Sequence, residues 1–155
     1  MKKDNLALDN YFKVLELKPD DETTYYNIGK LYDEESKFDK AIDSYSTAIR
    51  INSKFESALY NRAQLYRKNE DYKNAVIDYS NCIEINPKDD RCFYNRGLSY
   101  IELGKYQEAL KDFTNAIKRD PSKVDPYNQR GKVYSQFVID NEKAFYDFNF
   151  AIDLD

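Results

Sequence analysis

Apolar and polar residues alternate along the chain with the period of amphipathic α-helices. Between residues 25 and 32, apolar or aromatic side chains recur every three or four positions, and the same spacing returns between residues 38 and 49. This spacing gives a helix one apolar face. Turn-forming residues separate the periodic stretches, namely Pro19, Pro87, Gly104 and Pro121. The pattern predicts an all-α protein.

The same helical pattern returns every 34 residues. Four segments stack in register, YYNIGKLY, LYNRAQLY, FYNRGLSY and YNQRGKVY, and they begin at Tyr25, Leu59, Phe93 and Tyr127. A second segment follows each of them: KAIDSYSTAI, NAVIDYSNCI, EALKDFTNAI and KAFYDFNFAI. The spacing is constant except in the last unit, which carries one extra residue within SQFVIDNEK. A fixed period of this length indicates a repeat architecture, with helix A followed by an antiparallel helix B in each unit.

Small residues occupy fixed positions in every unit, and aromatic residues face them. Helix A carries Gly29, Ala63, Gly97 and Gly131 in one column, and helix B carries Tyr45, Tyr79, Phe113 and Phe148 in another. Small side chains allow neighbouring helices to approach, and added carbon atoms would overpack the contact. We expect these aromatic rings to fill the space beside the small residues, together with a second aromatic column, which holds Tyr32, Tyr66, Tyr100 and Tyr134.

This pattern resembles the tetratricopeptide repeat (TPR), with Tyr, Leu or Phe in place of its first Trp. The resemblance covers nearly the whole chain and implies a right-handed superhelix (α-solenoid) of antiparallel helix pairs, about nine helices in a single domain, residues 1–155. Residues 4–21 match helix B alone, a half repeat, and full repeats follow at 22–55, 56–89, 90–123 and 124–155. Since both ends lack a covering helix, we expect the chain to be part of a longer protein. The alternative is that the uncapped ends pair with another copy.

Composition narrows the possible function classes. The net charge is −4 with acids and bases intermixed, so no basic stripe is available for nucleic acid. The chain has no His, the commonest general base and metal ligand, and no phosphate-binding glycine loop. No apolar stretch is long enough for membrane insertion. We therefore expect a cytoplasmic protein that is not an enzyme and binds no cofactor or metal, and whose Cys82 and Cys92 are free thiols.

In a TPR superhelix, the A helices line a concave groove, and the resemblance implies that their exposed side chains meet a peptide. One inward column holds Tyr26, Tyr60, Tyr94 and Asn128, and the next holds Asn27, Asn61, Asn95 and Gln129. Amides can donate to and accept from an extended peptide backbone. The alternative is that they bond to a neighbouring helix. Further groove candidates are Lys30, Gln64, Arg67, Lys68, Arg91 and Leu98, with Ile101 and Glu102 beside them.

Two expectations about the ligand follow from these columns. Replacing Asn61 and Asn95 with Ala should weaken peptide binding and leave the thermal midpoint nearly unchanged. The modest excess of cations favours an acidic peptide. However, the carboxylate clamp of TPR proteins that bind chaperone tails would fall on Tyr26, Lys30, Asn61, Arg91 and Asn95, where only Asn61 matches. A chaperone-tail receptor of the usual kind is therefore disfavoured.

A second set of charged residues recurs for a different reason. Helix A carries Arg62, Arg96 and Arg130, and helix B of the same units carries Asp78, Asp112 and Asp147. The first unit has Ile28 and Ser44 instead, so it lacks both partners together. This covariation predicts an ion pair between helix A and helix B in each of the last three units, and not a ligand contact.

The sequence therefore predicts a protein–protein interaction scaffold or adaptor that binds a peptide segment of a partner in its groove. The alternative function is an oligomerisation or assembly module that uses its terminal helices. Nothing in the residues identifies the partner.

Overall fold

A computed structural model of the chain describes residues 2–154, with side chains from residue 6 onward. Within this range the chain forms nine α-helices, one π-helical turn and no strand. The helices are α1 (Lys2–Leu17), α2 (Glu22–Glu34), α3 (Phe38–Ile51), α4 (Glu56–Lys68), α5 (Tyr72–Ile85), α6 (Asp90–Glu102), α7 (Tyr106–Arg119), α8 (Val124–Val133) and α9 (Asn141–Leu154). The predicted all-α architecture is confirmed.

The helices pack as consecutive antiparallel pairs. Helix α2 packs on α3, α4 on α5, α6 on α7 and α8 on α9, so α2, α4, α6 and α8 are the A helices. Each B helix also packs on the next A helix, and α1 packs on α2 as a B helix without its own A helix. Because α4 also contacts α6, and α6 contacts α8, the A helices share one surface of the solenoid. We call this surface the A face.

The small residues of helix A are matched to aromatic rings of helix B, as the columns predict. A Cβ atom on Gly29 would lie 2.6 Å from the ring of Tyr45, and one on Gly97 would lie 2.8 Å from the ring of Phe113. Both rings are fully buried. The rings thus occupy the space that the missing side chains leave, and this contact fixes the distance between the two helices of each repeat.

Each turn between helix A and helix B contains one residue in the left-handed region of backbone space. The φ angles are 59° at Ser36, 60° at Glu70, 70° at Gly104 and 58° at Ile139. Only Gly104 adopts this conformation without a steric cost from Cβ, and Ile139 is the least suited because it is β-branched. The turn geometry is therefore set by the repeat and not by glycine.

The extra residue of the last repeat widens the end of the A helix. Residues Tyr134–Val138 form a π-helical turn directly after α8. The Asp140 N–H donates to the Tyr134 carbonyl at 2.9 Å, six residues back, whereas the Lys105 N–H reaches five residues back in the preceding repeat. A π turn holds one residue more than an α turn. The end of the A helix therefore absorbs the insertion, at the start of the segment SQFVIDNEK.

The predicted ion pairs between helix A and helix B are confirmed. Each arginine donates from two nitrogens to both oxygens of its aspartate, at 2.6–2.8 Å, in the pairs Arg62–Asp78, Arg96–Asp112 and Arg130–Asp147. The aspartates are 1–2% exposed. These bidentate contacts satisfy carboxylates that would otherwise be costly to bury.

Each arginine also reaches the preceding repeat. Its Nη1 donates to a hydroxyl on the previous B helix, which is Ser46 for Arg62, Ser80 for Arg96 and Thr114 for Arg130, at 2.9–3.0 Å. We call each set of arginine, aspartate and hydroxyl an arginine bridge, because it joins three helices and crosses a repeat boundary. The hydroxyls recur at the same 34-residue spacing as the ion pairs, but a role for them was not predicted.

Exposed large apolar side chains concentrate at the two ends of the solenoid. Helix α1 exposes Leu6, Phe12, Val14 and Leu17, and the other end exposes Phe137, Ile139, Phe145, Tyr146 and Ile152. Phe145 of α9 is 69% exposed, whereas Leu110 at the equivalent position of α7 is 8% exposed because α8 covers it. No helix in the described part of the chain combines the length and apolar character needed to cross a membrane.

Candidate functional site

The predicted groove residues lie on the A helices and contribute to the A face. A column of half-buried tyrosines forms its floor, and each ring packs on a buried ring of helix B. The ring centroids are 5.8 Å apart for Tyr26 and Tyr45, 5.9 Å for Tyr60 and Tyr79, and 5.9 Å for Tyr94 and Phe113. The tyrosines are therefore fixed by the core while one side remains open. In α8, Asn128 takes the place of the tyrosine.

The amide column is bonded to the tyrosine column of the preceding repeat. The Asn61 Nδ2 donates to the Tyr26 hydroxyl at 3.3 Å, and the Asn95 Nδ2 donates to the Tyr60 hydroxyl at 3.2 Å and to the Arg91 carbonyl at 2.9 Å. These contacts correspond to the alternative in which the amides bond to a neighbouring helix. Among residues 6–154, the side-chain oxygens of Asn61 and Asn95 accept no hydrogen bond, so they remain as acceptors.

This arrangement changes one expectation drawn from the sequence. Asn95 is 8% exposed and its amide is part of the contact between α4 and α6. Replacing it with Ala would leave the Tyr60 hydroxyl without one of its donors. The change is therefore expected to lower the thermal midpoint as well as any affinity for a peptide.

The Tyr60 and Tyr94 hydroxyls of the A face are neutral hydrogen-bonding groups. Burial raises the pKa of the Tyr60 hydroxyl, and it does the same for Tyr94, although Gln129 lies beside that hydroxyl and acts in the opposite direction. A neutral hydroxyl can donate and accept at once. The hydroxyls can thus accept from the amides and still donate to a ligand.

Arg91 contributes little free charge to the A face. It makes three hydrogen bonds to the Asp89 carboxylate, at 2.7–3.2 Å, and its guanidinium lies 4.9 Å from the centre of the Tyr60 ring. Although burial acts to raise it, these bonds hold the pKa of Asp89 below its ordinary value. Arg91 therefore has an internal partner and helps to hold Tyr60 in place.

The other cations of the A face differ in their surroundings. Lys30 lies 5.9 Å from the centre of the Tyr26 ring, and Lys68 lies 3.9 Å from the centre of the Phe38 ring. Arg67, next to Lys68 at the end of α4, is half-buried, and no carboxylate of the described residues lies within ion-pair distance of it. Arg67 is thus the guanidinium of the A face that has no acidic partner there.

Two cavities show where the surface is recessed. A cavity of about 210 Å³ lies between α6 and α8, and it is lined by Asp90, Arg91, Tyr94, Asn95, Lys123, Asp125 and Pro126. A larger one of about 450 Å³ is lined by residues of α7, α8, the π turn and α9, and none of the predicted groove residues contributes to it. The smaller cavity brings three of the predicted groove residues together: Arg91, Tyr94 and Asn95.

The two cysteines are free, as predicted, and both are fully buried. Burial and the neighbouring Cys82 thiol raise the pKa of Cys92, with Cys82 the larger cause. Both side chains pack with Leu59 in the core between repeats. Within the described residues, no cluster of Cys, Asp and Glu side chains is arranged to hold a metal ion.

Comparisons with known proteins place this architecture. Solved structures with a similar fold include MamA (TM-score 0.88, 22% identity, 93% of this chain and 84% of that chain). They also include YrrB, described as a TPR protein with an unusual peptide-binding site (TM-score 0.88, 27% identity, 99% of this chain and 78% of that chain). A third is the first TPR of Spaghetti (RPAP3) bound to an HSP90 peptide (TM-score 0.72, 22% identity, 76% of this chain and 93% of that chain). A search of curated proteins finds no matching sequence.

A family model gives the assignment from the sequence itself. The tetratricopeptide repeat model matches three consecutive segments, residues 23–55, 57–89 and 91–123, and each segment spans one A–B helix pair. The pair formed by α8 and α9 lies outside the matched segments and repeats the same contacts, with a ring of Phe148 over Gly131 and the Arg130–Asp147 pair. The chain belongs to the tetratricopeptide repeat family.

Proposed function

We propose that this protein is a scaffold or adaptor that binds an extended peptide segment of another protein on the A face. The observation that carries the proposal is the row of half-buried tyrosines on consecutive A helices, with amide oxygens left as acceptors beside them. TPR proteins act in protein–protein interaction, and the similar structures include a described peptide-binding site in YrrB and a bound peptide in Spaghetti. Most TPR proteins are scaffolds and not enzymes.

The A face can hold a peptide by two kinds of contact. The tyrosine rings offer rigid apolar area next to polar hydroxyls. This combination suits an interface in which apolar groups of the peptide pack on the rings while the hydroxyls stay hydrogen-bonded. The oxygens of Asn61 and Asn95 can accept from backbone N–H groups of an extended segment, whose donors recur along its length. With such contacts, affinity would depend more on the extended backbone of the peptide than on the identity of its side chains.

A chaperone-tail ligand of the usual kind remains disfavoured. The position that would supply a clamp lysine holds Arg91, and this side chain is bonded to Asp89 and stacked on Tyr60. The position of the clamp arginine holds Asn95, which is bonded to α4. A tail bound here would need contacts other than that clamp.

The proposal is tested by selecting random twelve-residue peptides displayed on phage against the folded protein. Peptides that bind are then measured against a variant in which three exposed or half-exposed A-face side chains are truncated: Lys30→Ala, Gln64→Ala and Leu98→Ala. We expect these changes to weaken binding at least about tenfold while circular dichroism stays unchanged, since interface hot spots often contribute about 2 kcal/mol each.

A matched variant on the B helices controls for general surface effects. It removes a cation, an amide and an aliphatic side chain that are all exposed on α5: Lys73→Ala, Asn81→Ala and Ile77→Ala. Binding to this variant should equal that of the unmodified protein. Equal weakening by both variants, or peptides that bind the second variant less well than the first, would exclude the A face as the binding surface.

A second candidate function is assembly through the terminal helices. The observation that favours it is the concentration of exposed large apolar side chains at α1 and α9. In the internal repeats, the residues equivalent to Phe145 and Ile152 pack against the next A helix, as Leu110 does with Val133 of α8 and Ile49 with Ala58 of α4. The exposed faces therefore have the shape and character of a helix–helix contact.

Sedimentation velocity over a wide range of protein concentration tests the second candidate. If the ends associate, the sedimentation coefficient should rise with concentration, and replacing Phe145 and Ile152 with Ser should abolish the rise. Ile77→Ser, which alters an exposed side chain far from both ends, should leave it unchanged. A monomer throughout the range would reject self-association.

A further inference from the structure

We propose that the cavity between α6 and α8 is a subsite for an arginine side chain of the peptide bound on the A face, with the Tyr94 ring and the Asp125 carboxylate as its two attractive groups. This proposal rests on the proposed function and goes further by naming the chemistry of one ligand position. It is carried by a comparison of two repeat boundaries, because the boundary between α4 and α6 holds an arginine of the chain itself at the equivalent place.

The contact between α4 and α6 shows how a guanidinium packs on the tyrosine column. The guanidinium of Arg91 lies 4.9 Å from the centre of the Tyr60 ring. It also donates to the Asp89 carboxylate at 2.7–3.2 Å. This arrangement is favourable because the face of the ring and the acid both attract the positive charge. At this boundary an internal arginine therefore fills the place.

The next boundary keeps the ring but lacks the arginine. Tyr94 stands 34 positions after Tyr60, and Asp125 stands 34 positions after Arg91. Among residues 6–154, no lysine or arginine lies over the Tyr94 ring. A cavity of about 210 Å³ lies there instead, and both Tyr94 and Asp125 line it. Since pockets for drug-sized ligands measure about 300–1,000 Å³, this cavity has the size for a single side chain.

The Asp125 carboxylate has no internal partner. In place of Asp89 this repeat has Lys123, whose Nζ donates to Asp90 at 2.6 Å and lies 3.7 Å from an oxygen of Asp120. Within the described part of the chain, no cation lies within ion-pair distance of Asp125, which is exposed. An acid in the first turn of a helix is stabilised by the helix dipole, so Asp125 alone does not indicate a ligand.

A buried amide oxygen gives an independent indication. Asn95 lines the same cavity and is 8% exposed, and its Nδ2 donates to the Tyr60 hydroxyl and to the Arg91 carbonyl. Its Oδ1 accepts no hydrogen bond from residues 6–154, although buried acceptors nearly always have a partner. The cavity therefore combines an open acceptor, a free carboxylate and an aromatic face. Such a set suits a cation with several N–H donors.

The charges around the cavity also favour a cation. Carboxylates outnumber cations among the residues that line the cavity or pair with its lining, which are Asp89, Asp90, Asp120 and Asp125 against Arg91 and Lys123. Burial raises the pKa of the Tyr94 hydroxyl, and the negative charge of Asp125 acts in the same direction. Arginine is favoured over lysine because a planar guanidinium can lie on the ring while its N–H groups reach two acceptors. The subsite thus places a basic residue at one position of a ligand for which the other A-face cations favour acids.

The subsite can be examined without any peptide. The side-chain amide resonances of Asn95 are followed by NMR while butylguanidinium chloride is added, with sodium chloride at equal ionic strength as the reference and butylammonium chloride as a separate arm. We expect a saturable shift with butylguanidinium that sodium does not produce and that Asp125→Asn abolishes. Glu108→Gln, which removes a first-turn acid of α7, should retain the shift. No saturable shift with butylguanidinium overturns the proposal, and an equal shift with butylammonium overturns the choice of arginine.

A peptide experiment then tests the subsite in the bound state. Three pools of random ten-residue peptides carry a fixed central Arg, Lys or Gln. The Arg pool should bind about tenfold better than the Gln pool, as expected for a contact with an aromatic face and a hydrogen bond between charged groups. Asp125→Asn should remove this preference, whereas Glu108→Gln should retain it. A Lys pool that binds as well as the Arg pool would overturn the choice of arginine.

A second variant fills the cavity from within the chain. Lys123→Asp together with Asp125→Arg copies the arrangement of Asp89 and Arg91 and leaves the net charge unchanged. The introduced guanidinium should lie over the Tyr94 ring, so the preference for the Arg pool should be lost while the affinity for the Gln pool stays the same. A preference that survives in this variant would overturn the proposal, because the arginine of the peptide would then bind elsewhere.

The outcomes separate the two proposals. If no pool binds but butylguanidinium shifts the Asn95 resonances, the peptide function fails and the subsite stands. If all pools bind equally well and Asp125→Asn has no effect, the peptide function stands and the subsite fails. A preference lost equally in the Asp125 and Glu108 variants would also overturn the proposal, because it would show attraction by net charge alone.

Discussion

The arginine bridge of the third repeat allows a quantitative test of how the helices are held together. The change is Arg96→Ile, which gives this repeat the residue that the first repeat has at Ile28. It leaves the Asp112 carboxylate, 2% exposed, without the two hydrogen bonds that satisfy it at 2.7 and 2.8 Å. Breaking one side of a buried pair costs about 3–5 kcal/mol.

The size of this loss has a ceiling that depends on pH. A buried carboxylate without a partner can become neutral by taking up a proton, and the free energy of protonation then limits the loss of stability. At pH 7, protonating a group with an ordinary pKa of 3.8 costs about 4 kcal/mol, because each pH unit above the pKa adds 1.36 kcal/mol. At pH 5 the same step costs about 2 kcal/mol. Arg96→Ile should therefore lower the free energy of unfolding by about 3–4 kcal/mol at pH 7 and by roughly half of that at pH 5.

The direction of the pH dependence follows from the pKa of Asp112. Burial raises this pKa, and Arg96 acts in the opposite direction. Without Arg96, the folded-state pKa rises further above its unfolded value. The contribution of the Asp112 carboxyl to stability is then fully present below its unfolded-state pKa, at about pH 4. This contribution is lost as the pH rises through the folded-state pKa of Asp112. The variant should thus gain stability, relative to the unmodified protein, as the solution is acidified from pH 7 to pH 5.

The matched variant is Arg96→Ile with Asp112→Ser, which copies the Ile28 and Ser44 pair of the first repeat. The Ser44 hydroxyl donates to the carbonyl of Lys40, so a serine can be satisfied within its own helix. This double variant should recover most of the stability lost in the single one. Urea unfolding followed by circular dichroism measures all of these values. As a surface control, Lys143→Ala removes an exposed ion pair with Asp140 and should change the midpoint little. Equal losses in the single and double variants, or a loss that does not change with pH, would refute the reasoning.

Further predictions concern the hydroxyls and the turns. Tyr79→Phe should stabilise the protein by up to about 1 kcal/mol because it removes an unpartnered buried hydroxyl, whereas Tyr45→Phe, which removes an acceptor of Asn61, should destabilise it by about 0.5 kcal/mol. Urea midpoints of the two variants that move in the same direction would contradict this. Ile139→Gly should raise stability by about 1 kcal/mol, because a β-branched residue is strained at φ 58°. Gly104→Ala should lower stability for the same reason. If calorimetry finds the same thermal midpoint for the Ile139→Gly and Gly104→Ala variants, the turns are not strained.

The fold was accessible from the sequence because its determinants recur. Gly29 opposite Tyr45 is ambiguous as a single pair, but four copies at a constant period define which helix packs on which. The Arg96–Asp112 pair was predictable for the same reason, since the first repeat lacks both members together. Its third member, Ser80, was missed although it recurs too, because a serine on a helix has many possible roles.

The candidate site was less predictable because its chemistry depends on side-chain contacts between repeats. Asn95 and Tyr60 fall in neighbouring columns, and only the packing of α6 on α4 shows that they bond to each other. Arg91 and Arg67 both read as groove cations, yet one is bonded to Asp89 and the other has no acid. The nature of the residues does not separate these cases, since the difference lies in which neighbours come within hydrogen-bonding distance.

The distribution of the arginine bridges along the solenoid determines the end from which unfolding begins. They cross the boundaries between α3 and α4, α5 and α6, and α7 and α8. The boundary between α1 and α2 has none, because Ile28 stands in the arginine position and Phe12 in that of the hydroxyl. In a one-dimensional array, where each unit is stabilised by its neighbours, the weakest boundary sets where fraying begins. Amide hydrogen exchange should thus be fastest in α1 and slow down toward the bridged repeats, so that the chain unzips from its amino-terminal end.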